Sequence, residues 1–172
     1  TRLYDHHALS DWTAMGEELA GMKAFRHALP EQVNRWVAEH EGKLGTDMAV
    51  PADRFADVHE RYREAQATGI RTVLFGHLGQ YHLHLNFLPK DRTELDAARR
   101  LYLSLARAAV AAGGTISAEH GVGRKRLDDE DGIGRPYLSY LVGDAGLDAI
   151  ARVKRHVDPD WLLNPGCMIE AP

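Results

Sequence analysis

Between Ile70 and Pro89 the chain carries two β-type runs whose natural solution is an antiparallel hairpin. Ile70 to Phe75 is apolar and rich in β-branched residues. Gly76 and Gly79 mark a turn region, and Tyr81 to Leu88 alternates before Pro89 removes the next ladder donor. Side chains reverse at every residue of a strand. Tyr81, Leu83, Leu85 and Phe87 therefore point to one face, and His82, His84 and Asn86 to the other. One face of the sheet is committed to a core and the other to polar side chains.

The flanking segments supply the rest of a sheet-and-helix layer. Leu44 to Val50 reads as a short strand stopped by Pro51. Ala52 to Thr68 reads as a helix with Phe55, Val58, Tyr62 and Ala65 as its apolar stripe and Gly69 at its end. Thr93 to Ala112 has the strongest helical period, through Leu95, Ala98, Tyr102, Leu105, Ala109 and Ala112. Gly113 and Gly114 stop it, and Thr115 to Ala118 is the fourth strand. The order from Leu44 to Ala118 is β-α-β-β-α-β, the split βαβ or ferredoxin-like unit. The expected class is α+β, an antiparallel sheet with helices on one face and helical extensions at both ends.

The N-terminal extension runs from Ser10 to about His40 in two helical pieces, with Met22, Phe25 and Leu29, then Val33, Trp36 and Val37, at helical spacing. Pro30 kinks the run or opens the second piece. Asp128 to Gly134 reads as a surface loop, Asp144 to Val157 as a final helix with an Asp cap, and Asp158 to Gly166 as an ordered tail. These divisions give a helical segment over 1–42, a core over 43–120, and a loop, helix and tail over 121–172, all in one domain.

With 172 residues, 44% hydrophobic, the chain is long enough for one real core. A net charge of −4 leaves no basic footprint for nucleic acid. No apolar run is long enough for a transmembrane segment, and no signal-peptide pattern opens the chain. The single cysteine, Cys167, has no internal disulfide partner, which fits a reducing, cytoplasmic compartment, with peripheral membrane attachment as a further option. The chain begins with Thr1 rather than Met, as expected for the C-terminal part of a longer protein.

The polar residues have the makings of a metal-assisted acid–base site. His77 and His84 flank the hairpin turn, and paired strands lie under about 5 Å apart, so the two imidazoles can share one ion. Glu119 is the candidate carboxylate, completing a His₂Glu set with an open position. In ferredoxin-like order the second hairpin strand and the fourth strand are separated by one strand. Glu119 must therefore reach from a strand end or a loop. His120 adjoins it, and a turn at Gly121 can re-aim its ring to take a proton from an alcohol whose pKa the metal lowers. The plain alternative is a set of hydrogen-bonded histidines beside a glycine turn. Gly121 and Gly123 do not make a dinucleotide fingerprint. Arg26 offers a planar fork and Lys43 a point charge for a carboxylate; as solvated surface charges they would need no ligand.

Three separated stretches resemble a known family. They are Gly76-His77-Leu78-Gly79 with Leu83-His84-Leu85-Asn86, then Gly113 to Gly123 (GGTISAEHGVG), then Leu162-Leu163-Asn164-Pro165-Gly166. Thr46 to Pro51 fits the same pattern. Together they are similar to the C-terminal domain of FAD-linked oxidases, the vanillyl-alcohol-oxidase-type flavoproteins that include D-lactate dehydrogenases, glycolate oxidase subunits and D-2-hydroxyglutarate dehydrogenases. The resemblance runs from about Phe25 onward.

The resemblance implies a cap that completes the substrate site over FAD, the flavin being held mostly by an N-terminal domain absent from this sequence. By motif position, His77, His84 and Glu119 would ligate a divalent metal, zinc or a similar ion. His120 would be the general base. Asn86 and Arg26 would contact a 2-hydroxy acid, with Lys43 matching only loosely. Asn164 would lie near the flavin. An electron-acceptor protein or a quinone would take the electrons onward. This chain has Gln80 where many relatives carry Asp and Tyr81 where they carry Gly or Asn, while His82 occurs in some branches in place of Asn. Without a glycine-rich pyrophosphate loop the chain alone is expected neither to hold FAD tightly nor to turn over. The rival readings are a metal-binding or regulatory module without redox function, a stand-alone metal hydrolase, and a structural subunit interface.

Overall fold

A computed structural model describes residues 18–128 and 134–170. The chain divides into two units, Thr1–Glu39 and His40–Pro172. In the first, helix α1 (Glu18–Glu39) runs through Pro30 without a break, in place of the expected two pieces. Proline removes the bond that residue 30 would donate to Arg26 and its ring crowds that carbonyl, but Lys23, Ala24, Ala28, Glu31 and Gln32 around it are strong helix formers. The part of the expected helix over 10–17 lies outside the described residues.

The second unit is an α+β layer. Strands β1 (Leu44–Gly45) and β2 (Met48–Ala49) both pair antiparallel with the central β4 (His82–Phe87), whose other edge carries β3 (Thr72–His77). A single bridge from Ala49 to Thr115 adds the fourth segment beyond β2. In chain order the segments lie four-one-three-two across the sheet, the ferredoxin-like arrangement. Gly76 permits the tight β3–β4 pairing, because a Cβ there would stand 2.2 Å from the His82 carbonyl oxygen. Gly114 does the same at the far edge, where a Cβ would meet the Ala49 carbonyl at 2.3 Å.

Helix α2 (Phe55–Gln66) follows a 3-10 turn, Ala52–Arg54, and α3 (Arg92–Ala111) is capped by the Asp91 side chain accepting from the Glu94 N–H at 2.9 Å. Their apolar stripes meet the sheet. Val58, Tyr62 and Ala65 from α2, Ala98, Tyr102, Leu105 and Ala109 from α3, and Leu83, Leu85 and Phe87 from β4 share one buried cluster. Leu85 and Phe87 are fully buried, and each such side chain contributes about 1.5–3 kcal/mol of transfer free energy.

Three sequence expectations need correction. Leu44 to Val50 is not one strand: the ladder opens at Thr46 and Asp47 although the register with β4 is the same on both sides. The fourth strand is reduced to the Thr115 bridge. After it the Thr115 hydroxyl bonds locally to the Ser117 backbone, and the N–H groups of Glu119 and His120 turn to a side chain, Asp47, rather than to a ladder. The hairpin turn is a 3-10 segment, Leu78–Gln80, and Tyr81 leaves the strand in a left-handed conformation, φ 53°.

Past the core, β5 (Arg126–Asp128) and β6 (Gly134–Pro136) pair antiparallel, a ribbon the sequence reading did not anticipate; the rest of the expected loop, 129–133, lies outside the described residues. Helix α4 (Ser139–Val157) is interrupted at Gly143, φ 64°, so the expected helix over Asp144–Val157 follows a separate first turn. The Asp144 carboxylate pairs with Arg135 at 3.6 Å. The tail is tied back by Asp158, which accepts from the N–H groups of Leu162 and Leu163 at 3.0 Å each and pairs with Lys154. No helix among the described residues is long and apolar enough to cross a membrane.

Candidate metal and active site

The opening of the ladder at Thr46 builds the site. Leu85 donates its backbone N–H to the Thr46 hydroxyl at 2.8 Å, not to the Thr46 carbonyl. That hydroxyl also accepts from Tyr62 at 3.2 Å and lies 3.3 Å from the Leu83 carbonyl, to which it donates. Burial raises the Tyr62 phenol, keeping it a neutral donor. The freed Thr46 carbonyl lies 3.1 Å from His84 Nδ1. A carbonyl only accepts, so Nδ1 carries the proton and the lone pair sits on Nε2, which faces Glu119 Oε2 at 3.7 Å. Burial lowers the His84 pKa, partly opposed by that carbonyl, so the ring favours the neutral form that ligates metals.

Asp47, the second residue of the gap, is buried on the polar face and is surrounded by donors. Its Oδ2 accepts from the His120 N–H at 2.8 Å, the Ser117 hydroxyl at 2.9 Å and the Glu119 N–H at 3.2 Å. Its Oδ1 lies 2.9 Å from His82 Nε2. Burial pushes this carboxyl up, but the bonds from His120, Ser117, Glu119 and His82 outweigh it and hold the group below its ordinary value. One carboxylate thereby fixes the backbone from which Glu119 and His120 project.

These supports bring the expected donors together. His77 Nε2 lies 3.2 Å from Glu119 Oε1, and His77, His82, His84 and Glu119 offer donor atoms all within 4.8 Å of one another. Tetrahedral ligands on bonds of about 2.1 Å stand roughly 3.4 Å apart; the Glu119 oxygens lie 3.2–3.7 Å from the three imidazoles and the whole set stays within 4.8 Å, so these donors are compatible with a divalent ion. Across the hairpin His77 is directly opposite His82, while His84 is opposite Phe75. Glu119 reaches in from the loop after Thr115. His120 stacks on His84, ring centroids 5.1 Å apart, and remains two-thirds exposed. A second possible set, Asp47, His84, Glu119 and His120, is weaker, because the Asp47 oxygens and His84 Nδ1 already have partners.

The other expected residues are not members of this donor set. Asn86 is buried on the same face of β4, across from Gly45 and Val73. Lys43 is exposed just before β1, and Arg26 is exposed on α1 in the first unit. Asn164 is exposed in the tail, φ 45°, lining a pocket of about 410 Å³ with Val153, Leu163 and Met168. Asp47 is not among the residues expected from the sequence, although it lies within Thr46 to Pro51; an acid between a threonine and an apolar run is the one local signal.

The chain matches the family described as FAD linked oxidases, C-terminal domain, over residues 5–168. It is 31% identical over 121 residues to D-lactate dehydrogenase [cytochrome] 1, mitochondrial, of Saccharomyces cerevisiae, covering 70% of this chain and 19% of that protein. It is 30% identical over 125 residues to glycolate oxidase subunit GlcD of Bacillus subtilis, covering 71% and 25%. Similarity to D-2-hydroxyglutarate dehydrogenase of Stutzerimonas stutzeri is 27% over 181 residues, covering 98% and 36%. The chain thus spans between a fifth and rather more than a third of the length of these relatives. On the extent of the family match, joined to the sheet and the loop that carry its motifs, this chain belongs to the C-terminal domains of the FAD-linked oxidases.

Proposed function

We propose that this chain is the substrate-binding cap of an FAD-dependent dehydrogenase or oxidase of small 2-hydroxy acids. The observation that carries the reading is the convergence of His77, His84 and Glu119 on one point, with the His120 ring beside it and open to solvent.

His77 Nε2, His84 Nε2 and the Glu119 carboxylate would hold a divalent ion of the zinc class, which when bound supplies Lewis acidity toward the hydroxyl and carboxylate oxygens of the substrate. FAD, bound mainly by a separate N-terminal domain, supplies the two-electron acceptor for the hydride from C2. His120 takes the hydroxyl proton on its imidazole, and its stacking on His84 keeps that ring at the edge of the donor set. Asn86, beneath the site on β4, orients the substrate through its amide. Arg26 and Lys43 are the candidates for its carboxylate, and Asn164 for the flavin side. Phe75 and Leu78 are apolar, about half exposed and next to His77, and would pack against the flavin-bearing domain. An acceptor protein or a quinone would take the electrons onward.

Metal content distinguishes this reading from a metal-free interface: the protein should retain one divalent ion per chain, and His84→Ala should lose it. Joined to its flavin domain, the protein should reduce FAD with a 2-hydroxy acid, and His120→Ala should slow that step by about 10²–10⁴-fold with the metal retained. Equal metal content in wild type and His84→Ala removes the site. Hydrolysis of an ester without flavin would favour the hydrolase.

A further inference from the structure

The three-donor site above leaves out His82, the residue directly opposite His77 and, with 2% exposure, more deeply buried than any other imidazole in the cluster. We infer that His82 is a fourth protein donor to the divalent ion, through Nδ1, so that the centre is three imidazoles and one carboxylate. The inference rests on the metal reading of His77, His84 and Glu119 and extends it.

Tautomer and placement carry it. Asp47 Oδ2 accepts from two backbone N–H groups and a hydroxyl, as an ionised carboxylate does, and Oδ1 stands 2.9 Å from His82 Nε2. Nε2 is therefore the protonated nitrogen, and Nδ1 carries the lone pair. Nδ1 faces Glu119 Oε1 at 3.7 Å. The same oxygen is 3.2 Å from His77 Nε2, and Glu119 Oε2 is 3.7 Å from His84 Nε2. A lone pair and a carboxylate facing one another gain from a cation between them and gain nothing from each other. A proton on Nδ1 is the rival occupant. The pairing of a buried carboxylate with an imidazole whose other nitrogen turns to a cation is the usual support of a metal-bound histidine.

A third imidazole at this position changes what the centre prefers. Three nitrogens and one carboxylate oxygen favour a zinc-class transition ion over magnesium or calcium, which take oxygen ligands. Four protein donors also hold the ion more tightly than three, and any ion that accepts a substrate there as well must tolerate five or more ligands.

The test is cobalt and zinc loading of the chelator-stripped protein. X-ray absorption of the loaded wild-type protein should count three imidazoles, and three again in His120→Ala; two in either sample overturns the inference, and this measurement needs no change at His82. His82→Asn, checked for folding by circular dichroism, should weaken zinc binding by more than about tenfold in competition with a chromophoric chelator and shift the visible cobalt bands. Affinity within tenfold of wild type, with unchanged bands, overturns it. His84→Ala separates the two ideas. If it loses the ion while His82→Asn keeps it, only the fourth ligand fails; if neither variant loses it, the metal site as a whole is wrong.

Discussion

The two faces of β4 are equally closed to solvent, yet they are closed by different means. Every residue from His82 to Phe87 is buried. Leu83, Leu85 and Phe87 are covered by α2 and α3, whereas His82 and His84 are covered by other polar groups: Asp47, His77, Glu119 and His120. The apolar face needs shape only. The polar face needs each donor matched to an acceptor, and Asp47 and the Thr46 carbonyl provide that matching from the neighbouring strand. Stability and chemistry are thus assigned to opposite sides of one strand, with the gap at Thr46–Asp47 as the place where the two meet.

The largest expected effect tests that separation from the apolar side. Phe87→Ala removes a fully buried ring and should lower unfolding free energy by about 3–5 kcal/mol in urea titration. Under native conditions its affinity for zinc should stay within tenfold of wild type. A larger loss would mean that the faces are coupled through the strand.

Asp47→Asn attacks the polar side at its support. A neutral amide cannot accept from all four partners, and one of its own N–H groups would face a donor, so a cost of about 2–3 kcal/mol is expected. The zinc affinity should fall by roughly 10–100-fold through misplacement of Glu119 and His120. The pH dependence has a definite sign. The native carboxyl lies below its ordinary value of 3.8, so near that value the unfolded chain binds more protons than the folded one. The contribution of Asp47 is complete above the ordinary carboxyl range and declines as pH falls through the folded value. In metal-free protein the gap in stability between wild type and Asp47→Asn should therefore narrow below about pH 4. A gap that widens on acidification would contradict the assignment.

Removing the ion probes the polar face without mutation. At a free metal concentration of about 100 Kd, binding adds roughly 2.7 kcal/mol, so chelation should lower Tm by a corresponding amount. The far-UV spectrum should stay native, because the core lies on the other face. Unfolding on chelation would show that the metal, not the helices, holds the sheet.

Most of the apolar side was legible in the sequence, because alternation in β4 and the stripes of α2 and α3 are periodic signals that burial itself imposes. The polar side was legible only in part. His77, His84, Glu119 and His120 stand out by residue type, and the loop position of Glu119 follows from strand order. The division of Leu44–Val50 was hidden, because alternation continues unbroken through Thr46 and Asp47 and a hydroxyl replaces a carbonyl without altering the pattern. Asp47 acts through four partners distant in sequence, and such matching has no local period. His82 was read as a member of the polar face, but its facing Nδ1 depends on Asp47 and so on the same hidden contact.

The smallest expected effect lies at the turn that joins the two hairpin strands. Tyr81 holds φ 53°, a conformation that costs a non-glycine residue about 1–2 kcal/mol, and its ring lies against Phe55 with centroids 5.5 Å apart. Tyr81→Gly removes the backbone penalty. It also loses about 0.5–1.5 kcal/mol of ring contact and adds about 0.5–1 kcal/mol of unfolded-chain entropy. These terms nearly cancel, so stability should change by less than about 1 kcal/mol. Because the ring points to Phe55 and not toward the imidazoles, zinc affinity should not change. A loss of affinity in this variant would mean that the turn sets the spacing of His77 and His82, and the polar face would then depend on the hairpin as much as on Asp47.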